Sequence, residues 1–92
     1  MEKAEYKGKE YFIKYRHERD IDENGNPKQR GGKTVAYIVL AWKEDGSALD
    51  VILAEAECSK HDIFNKKLGR IIAGGRLLKD IRMMNEGLML GE

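Results

Sequence analysis

The sequence predicts an α+β domain: a three-stranded antiparallel sheet in β-β-β-α order, packed against one C-terminal helix, with a long ribbon-like connection between the first two strands. Three observations predict it. Residues 10–16 alternate in the manner of a half-buried strand. Two longer apolar runs, 34–43 and 49–57, are separated by an Asp-Gly turn signal. After Ser59 the apolar residues recur at helical spacing. Ninety-two residues make a single domain, 1–92. Its core must be thin, because little of so short a chain can be buried.

In the first strand, Tyr11, Ile13 and Tyr15 alternate with Phe12, Lys14 and Arg16. The second strand is apolar in both sets, Val35/Tyr37/Val39 and Ala36/Ile38/Leu40/Trp42. That suits a central strand covered on one face, with a partner or a loop on the other. Glu44-Asp45-Gly46-Ser47 is the expected hairpin turn. In the third strand Leu49, Val51 and Leu53 share one face, and Asp50, Ile52, Ala54 and Ala56 the other.

The connection HERDIDENGNPKQRGGK is long for a hairpin loop, but Asn24-Gly25 marks a turn at its middle. Its flanks read as a projecting ribbon or as an irregular loop. Gly31-Gly32 suits a bulge that bends the arm. Arg19, Lys28, Arg30 and Lys33 decorate the arm and are its candidate partner-binding cations.

The helix is expected to begin at Ser59, capped by its hydroxyl with Asp62 reaching back, and stapled by Cys58 and Ile63. Phe64, Leu68, Ile71, Gly75 and Leu78, with Ile72 beside them, form the expected buried stripe. Lys66, Gly69, Arg70, Ala73 and Arg76 form the expected outer face. Gly74-Gly75 predicts a kink or an end, although a glycine on the buried stripe also suits close approach to a sheet. Leu88, Met89 and Leu90 follow as an apolar tail that folds back or serves a partner.

Charge divides unevenly along the chain. Residues 1–57 hold 10 Lys/Arg and 12 Asp/Glu, whereas residues 58–82 hold 7 and 2. A basic segment beside a nearly neutral remainder favours an anionic partner such as nucleic acid over a solvated face alone. Lys66, Arg70 and Arg76 are the main candidates for phosphate contact, with Lys60, Lys67 and Lys79 at the rim. Sheet aromatics offer a second surface for stacking on bases, though core packing is their commoner role.

Enzyme chemistry is weakly represented. Cys58 and His61 are three apart, but no third group at suitable spacing orients a base. Cys58, His61 and Asp62 do not make a metal-ligand set, so no catalytic residue, metal or cofactor is expected. One cysteine permits no intramolecular disulfide, and the N-terminus carries no apolar run; both fit a cytoplasmic protein away from membranes. The β-β-β-α order is similar to part of a double-stranded-RNA-binding domain, without that domain's first helix.

The segment AEAECSKHDIFNKKLGRIIAGGRL resembles a pattern of small phage-encoded proteins: Cys58-Ser59, then Asp62-x-Phe64, then Gly69-Arg70-x-Ile72-Ala73-x-Gly75-Arg76. The size and the three-strand-plus-helix plan also look like several phage anti-CRISPR proteins. That resemblance implies a stoichiometric, non-catalytic inhibitor acting in the host cytoplasm on a type I CRISPR surveillance complex. Its partners would be Cas subunits and the crRNA. A free nucleic-acid-binding phage regulator is the alternative, and a structural or oligomeric protein pairing its helices through Gly69 and Ala73 is a third reading. The sequence leaves the oligomeric state open.

Overall fold

The computed structural model describes residues 2–87, so the Leu88–Leu90 tail lies outside the described residues. Six elements follow in order: β1 (Lys3–Tyr6), β2 (Lys9–Phe12), β3 (Lys14–Glu18), β4 (Arg30–Trp42), β5 (Ala48–Ile63) and α1 (Lys66–Asn85). The main sheet is antiparallel with order β3-β4-β5, and α1 packs on one of its faces. The expected three-strand-plus-helix plan is therefore present, with β4 at the centre.

A second, two-stranded sheet, β1-β2, precedes it. The expected first strand is thus two strands, broken at the buried Ile13. The β1-β2 turn is Lys7-Gly8, both at positive φ (51° and 81°), a conformation that matches the twist of a two-residue hairpin. Asn85, at the end of α1, ties this hairpin down: its Oδ1 accepts from the Lys7 N–H at 2.8 Å and its Nδ2 donates to the Glu5 carbonyl at 2.7 Å. Each such bond contributes roughly 1 kcal/mol net. Asn85→Ala is accordingly expected to lower stability by about 1–2 kcal/mol in a urea titration.

The Asp45-Gly46 turn forms as expected, with the Asp45 carboxylate accepting from Ser47 N–H at 2.9 Å and Ser47 Oγ at 2.6 Å. The hydroxyl bond comes first among the causes that hold the Asp45 carboxyl below its ordinary range. The connecting arm is partly ladder-like: Ile21 bridges Pro27, and Asp22 Oδ1 accepts from the N–H groups of Asn24 and Asn26, both at 2.9 Å.

The irregularity expected at Gly31-Gly32 is real, and its extra residues lie on β5. Arg30 pairs with Ile63 and Gly32 with Cys58, so residues 59–62 bulge out opposite Gly31. Gly32 has φ +111°, and a Cβ there would lie 2.6 Å from the Glu18 carbonyl oxygen. Only glycine lets β3 and β4 stay paired at that point.

The helix corrects two expectations. It starts at Lys66, not Ser59, because residues 58–63 remain in β5. Its N-cap is Asn65, whose Oδ1 accepts from Leu68 N–H at 3.0 Å. Cys58 is therefore a strand residue rather than half of a staple. The helix also runs unbroken through Gly74-Gly75 to Asn85.

The inward stripe is Ala73, Gly74, Leu77 and Ile81. Its apolar side chains pack with Ala36, Ile38, Ala54, Ala56, Ala4 and Ile13. Small side chains on both layers bring helix and sheet close together. Gly69 lies against Thr34, whose Cβ would be 2.9 Å from an added methyl, and Gly74 lies against the Tyr15 hydroxyl, 2.8 Å from one. Of the expected buried stripe only Phe64 is buried, and it precedes the helix; Leu68, Ile71, Ile72, Gly75 and Leu78 face outward.

Candidate interaction surface

The outward side of α1 is an apolar strip. Ile71 is 62% exposed, Leu68 52% and Leu78 41%. On a helix of 3.6 residues per turn, Lys67, Lys79 and Arg82 border that strip. The helix carries six Lys/Arg and one acid, Asp80, which is partly buried. Lys66 and Lys67 stand at the N-terminus, with no acid in the first turn. Their charge adds to the positive end of the helix dipole rather than opposing it. This arrangement works against helix stability and in favour of an anion nearby.

The three leading candidate cations do not share one face. Lys66 and Arg70 flank the β3 side, close enough to His17 for their charges to act on it. Arg76 is on the β5 side, where its Nη1 donates to the Glu55 carbonyl at 2.7 Å. Arg76 thus caps a backbone oxygen on the sheet's outer strand. Lys79 lines a shallow depression with Arg76, Glu55 and Asp80 on that same side. The expected uncluttered surface of glycine, alanine and arginine is corrected: Gly69 and Ala73 are turned to the sheet, and the cations are divided between two flanks.

Near the start of α1 a basic cluster forms around Phe64. The Arg19 guanidinium lies 5.4 Å from the Phe64 ring centroid, and the His17 ring meets Phe64 edge-on at 6.0 Å. His17 Nδ1 and Thr34 Oγ1 are hydrogen-bonded at 2.9 Å. Burial, then the charges of Lys66 and Arg70, push the His17 pKa below 6.5. Because the folded state binds this proton less readily than the unfolded chain, His17 contributes stability above the unfolded value near 6.5. That contribution is lost as pH falls through the lower folded value. Thermal melting is expected to drop as the pH is lowered from neutrality through that range, and His17→Gln should shrink the drop.

The arm cations are placed as follows. Lys28, Arg30 and Lys60 line an open cleft of about 730 Å³ with Asp20, Ile21 and Gln29. Lys60 sits in the β5 bulge rather than on the helix. Arg30 Nη1 donates to the His61 carbonyl, tying the bulge to β4. Lys33 pairs with Glu55 at 3.4 Å. Arg19 reaches the ring of Phe64, two residues before the helix, an approach hidden in sequence by the long stretch of chain between them.

The segment carrying the phage resemblance is largely architectural. Cys58, Asp62, Phe64, Gly69 and Ile72 all line one small cavity of about 140 Å³ at the bulge-to-helix junction. The Cys58 thiol points at the Asp62 carbonyl, 3.4 Å away, and so helps to close the bulge. Tyr15, its pKa pushed up to about 12 by burial and by its bond to Glu2, stays a neutral donor at 2.8 Å to that carboxylate. Among the described residues, no three His, Cys, Asp or Glu side chains cluster as a metal site, and no helix is long and apolar enough to cross a membrane.

Fold and surface together define a two-layer α+β domain with an apolar, cation-bordered helix. No protein-family model, curated protein or solved structure matches the chain.

Proposed function

We propose that the protein is a non-catalytic binding module that docks onto a nucleoprotein complex through α1. The observation that carries this reading is the exposed strip Leu68, Ile71 and Leu78, bordered by Lys67, Lys79 and Arg82. An apolar strip suits a protein surface, and the charges of Lys67, Lys79 and Arg82 beside it favour one with acidic surroundings. On the β3 flank Lys66 and Arg70 suit phosphodiester, because guanidinium and ammonium groups displace counterions there. A partner that offers protein and nucleic acid side by side satisfies both. The narrower reading, a phage inhibitor of a type I CRISPR surveillance complex in the host cytoplasm, rests on the sequence resemblance, and it requires no catalytic residue or cofactor.

The competing reading is a free nucleic-acid-binding regulator, and the Lys66–Arg70 flank alone favours it. Electrophoretic mobility shift against naked duplex and naked crRNA, beside capture by a purified type I complex, separates the two. Capture without tight binding of the naked nucleic acids supports the nucleoprotein reading. Tight binding to naked duplex with a steep salt dependence replaces it with the regulator.

A further inference from the structure

The open cleft beside the connecting arm gathers three cations from three segments of chain. Lys28 comes from the arm, Arg30 from the first residue of β4, and Lys60 from the bulge in β5. The backbone beneath each is held. Lys28 N–H donates to the Asp20 carbonyl at 2.8 Å, and Phe64 N–H donates to the Gln29 carbonyl at 2.8 Å. Arg30 Nη1 donates to the His61 carbonyl, and His61 N–H donates to Ser59 Oγ at 3.2 Å, so the bulge that carries Lys60 is fixed against β4.

Charges of one sign held together in this way repel, and the wall of the cleft does not cancel them. Among the described residues the ion pairs are Arg16–Glu18 and Lys33–Glu55, and neither involves Lys28, Arg30 or Lys60. Asp20 is the one carboxylate on the wall, which leaves three positive charges against one negative, a balance of +2. It lies against Gly31, where an added Cβ would collide with its carboxylate. The adjoining depression sets Arg19, Lys33 and Lys60 against Glu18, Asp20 and Glu57 and is balanced, so the excess belongs to the cleft. A cleft with an excess of one sign concentrates counter-ions of the other.

We infer that this cleft binds the phosphates of a nucleic-acid strand. Arg30 spends one guanidinium N–H on the His61 carbonyl and keeps the others for a phosphate oxygen. Lys28 and Lys60 add ammonium groups as point charges. Shape favours a strand over a free anion or nucleotide. A small-molecule pocket buries most of its ligand between apolar walls, whereas this cleft is open and Ile21, 64% exposed, is its one apolar side chain. An open cationic channel suits a chain that passes across it, held by counterion release at successive phosphates. The site shares no residue with the α1 surface, and the inference goes beyond the docking proposed there.

Nuclear magnetic resonance titration of the full chain with oligouridylate at physiological salt tests it. The backbone amides of Lys28, Arg30 and Lys60 are expected to shift together and to saturate with a Kd of about 1–100 μM, the range of sequence-independent contact. Lys28→Glu with Lys60→Glu should weaken this binding about tenfold and flatten its salt dependence, by about 0.7 in the logarithmic slope for each phosphate no longer held. Both lysines are exposed, so circular dichroism should not change. Asp20→Asn keeps the shape of the side chain, removes the opposing charge and should tighten binding severalfold. Lys66→Glu with Arg70→Glu should leave the shifts at Lys28, Arg30 and Lys60 in place, which separates this site from the α1 flank. No shift at these amides, or shifts confined to the α1 flank, overturns the inference and leaves the helix reading standing. So does an affinity indifferent to Lys28→Glu/Lys60→Glu and to Asp20→Asn. Inorganic phosphate that saturates the same amides as tightly as the oligonucleotide also overturns it, by making the cleft a site for small anions. Should the reversal variant misfold, Lys28→Gln with Lys60→Gln supplies the same test.

Discussion

Gly69→Ala is expected to destabilise the protein, whereas Gly75→Ala, further along the same helix, should stabilise it. Alanine in a helix interior is favoured over glycine by about 1 kcal/mol at either position. At Gly75 an added Cβ meets nothing within 4 Å, so that preference acts alone. At Gly69 the Cβ would collide with Thr34, lying 2.9 Å from its Cβ and closer to its hydroxyl oxygen. Thr34 is fully buried on the central strand and hydrogen-bonded to His17, so it has nowhere to move. Overpacking of this kind costs up to about 3 kcal/mol, which leaves a net loss of about 2 kcal/mol. A chain of this size shifts its melting temperature by about 4–8 °C per kcal/mol. Gly69→Ala should therefore lower it by roughly 10 °C, and Gly75→Ala should raise it by about 5 °C. Gly74→Ala falls between them, because its Cβ meets only the far end of Tyr15. Equal melting temperatures for the Gly69 and Gly75 variants would mean that the helix does not approach the sheet where Thr34 stands.

That contrast also shows how far the fold is legible in the sequence. Strand alternation separates Tyr11, Ile13 and Tyr15 from Phe12, Lys14 and Arg16, and Val51 and Leu53 from Ile52, Ala54 and Ala56, because a period of two fixes which residues share a face; which set meets the helix is decided by packing. The Asp45-Gly46 turn is legible because its backbone angles and its side-chain bonds are both local. The helix face is not. Large apolar residues at 68, 71 and 78 mark a stripe suited to burial, but burial is decided by the sheet, whose core-side residues include Thr34, Ala36, Ala54 and Ala56. A surface of small side chains accepts small side chains closely, so the Gly69–Ala73–Gly74–Leu77 side turns in. Those alanines are the available signal. The start of the helix departs from expectation for a different reason. Ser59 and Asp62 carry capping chemistry, but pairing of Cys58 with Gly32 and Ile63 with Arg30 holds the segment extended, and tertiary pairing outweighs a local cap. The N-terminal hairpin leaves little trace in the sequence, because its turn puts Lys7, not a usual turn residue, at positive φ. Of the candidate site, the cations are legible as residue types but not as groups. Arg19 reaches the helix start only through Phe64, and Arg82 takes its place on the docking side only because the large apolar residues face outward.

Two pairs of substitutions on α1 should affect partner capture in different ways. Ile71→Glu with Leu78→Glu places carboxylates in the middle of the exposed strip. Both positions are already solvated, so thermal stability should change little, while affinity for the nucleoprotein partner should fall at least tenfold, or about 1.4 kcal/mol. The salt dependence of the residual binding should be preserved, because the cations that face phosphate are untouched. Lys66→Glu with Arg70→Glu acts on the β3 flank. It should weaken capture and also flatten the dependence on salt, by about 0.7 in the logarithmic slope for each single-strand phosphate no longer neutralised. These positions are preferable to Arg76, whose guanidinium holds the Glu55 carbonyl and whose removal would disturb the edge of β5 as well as any partner. The two signatures, weaker affinity at constant salt slope and weaker affinity with a flattened slope, assign protein recognition to the strip and nucleic-acid recognition to the flank. Full capture by both variants would exclude the helix as the docking surface. A salt slope unchanged by Lys66→Glu/Arg70→Glu, with capture abolished by Ile71→Glu/Leu78→Glu, would reduce the partner to protein alone.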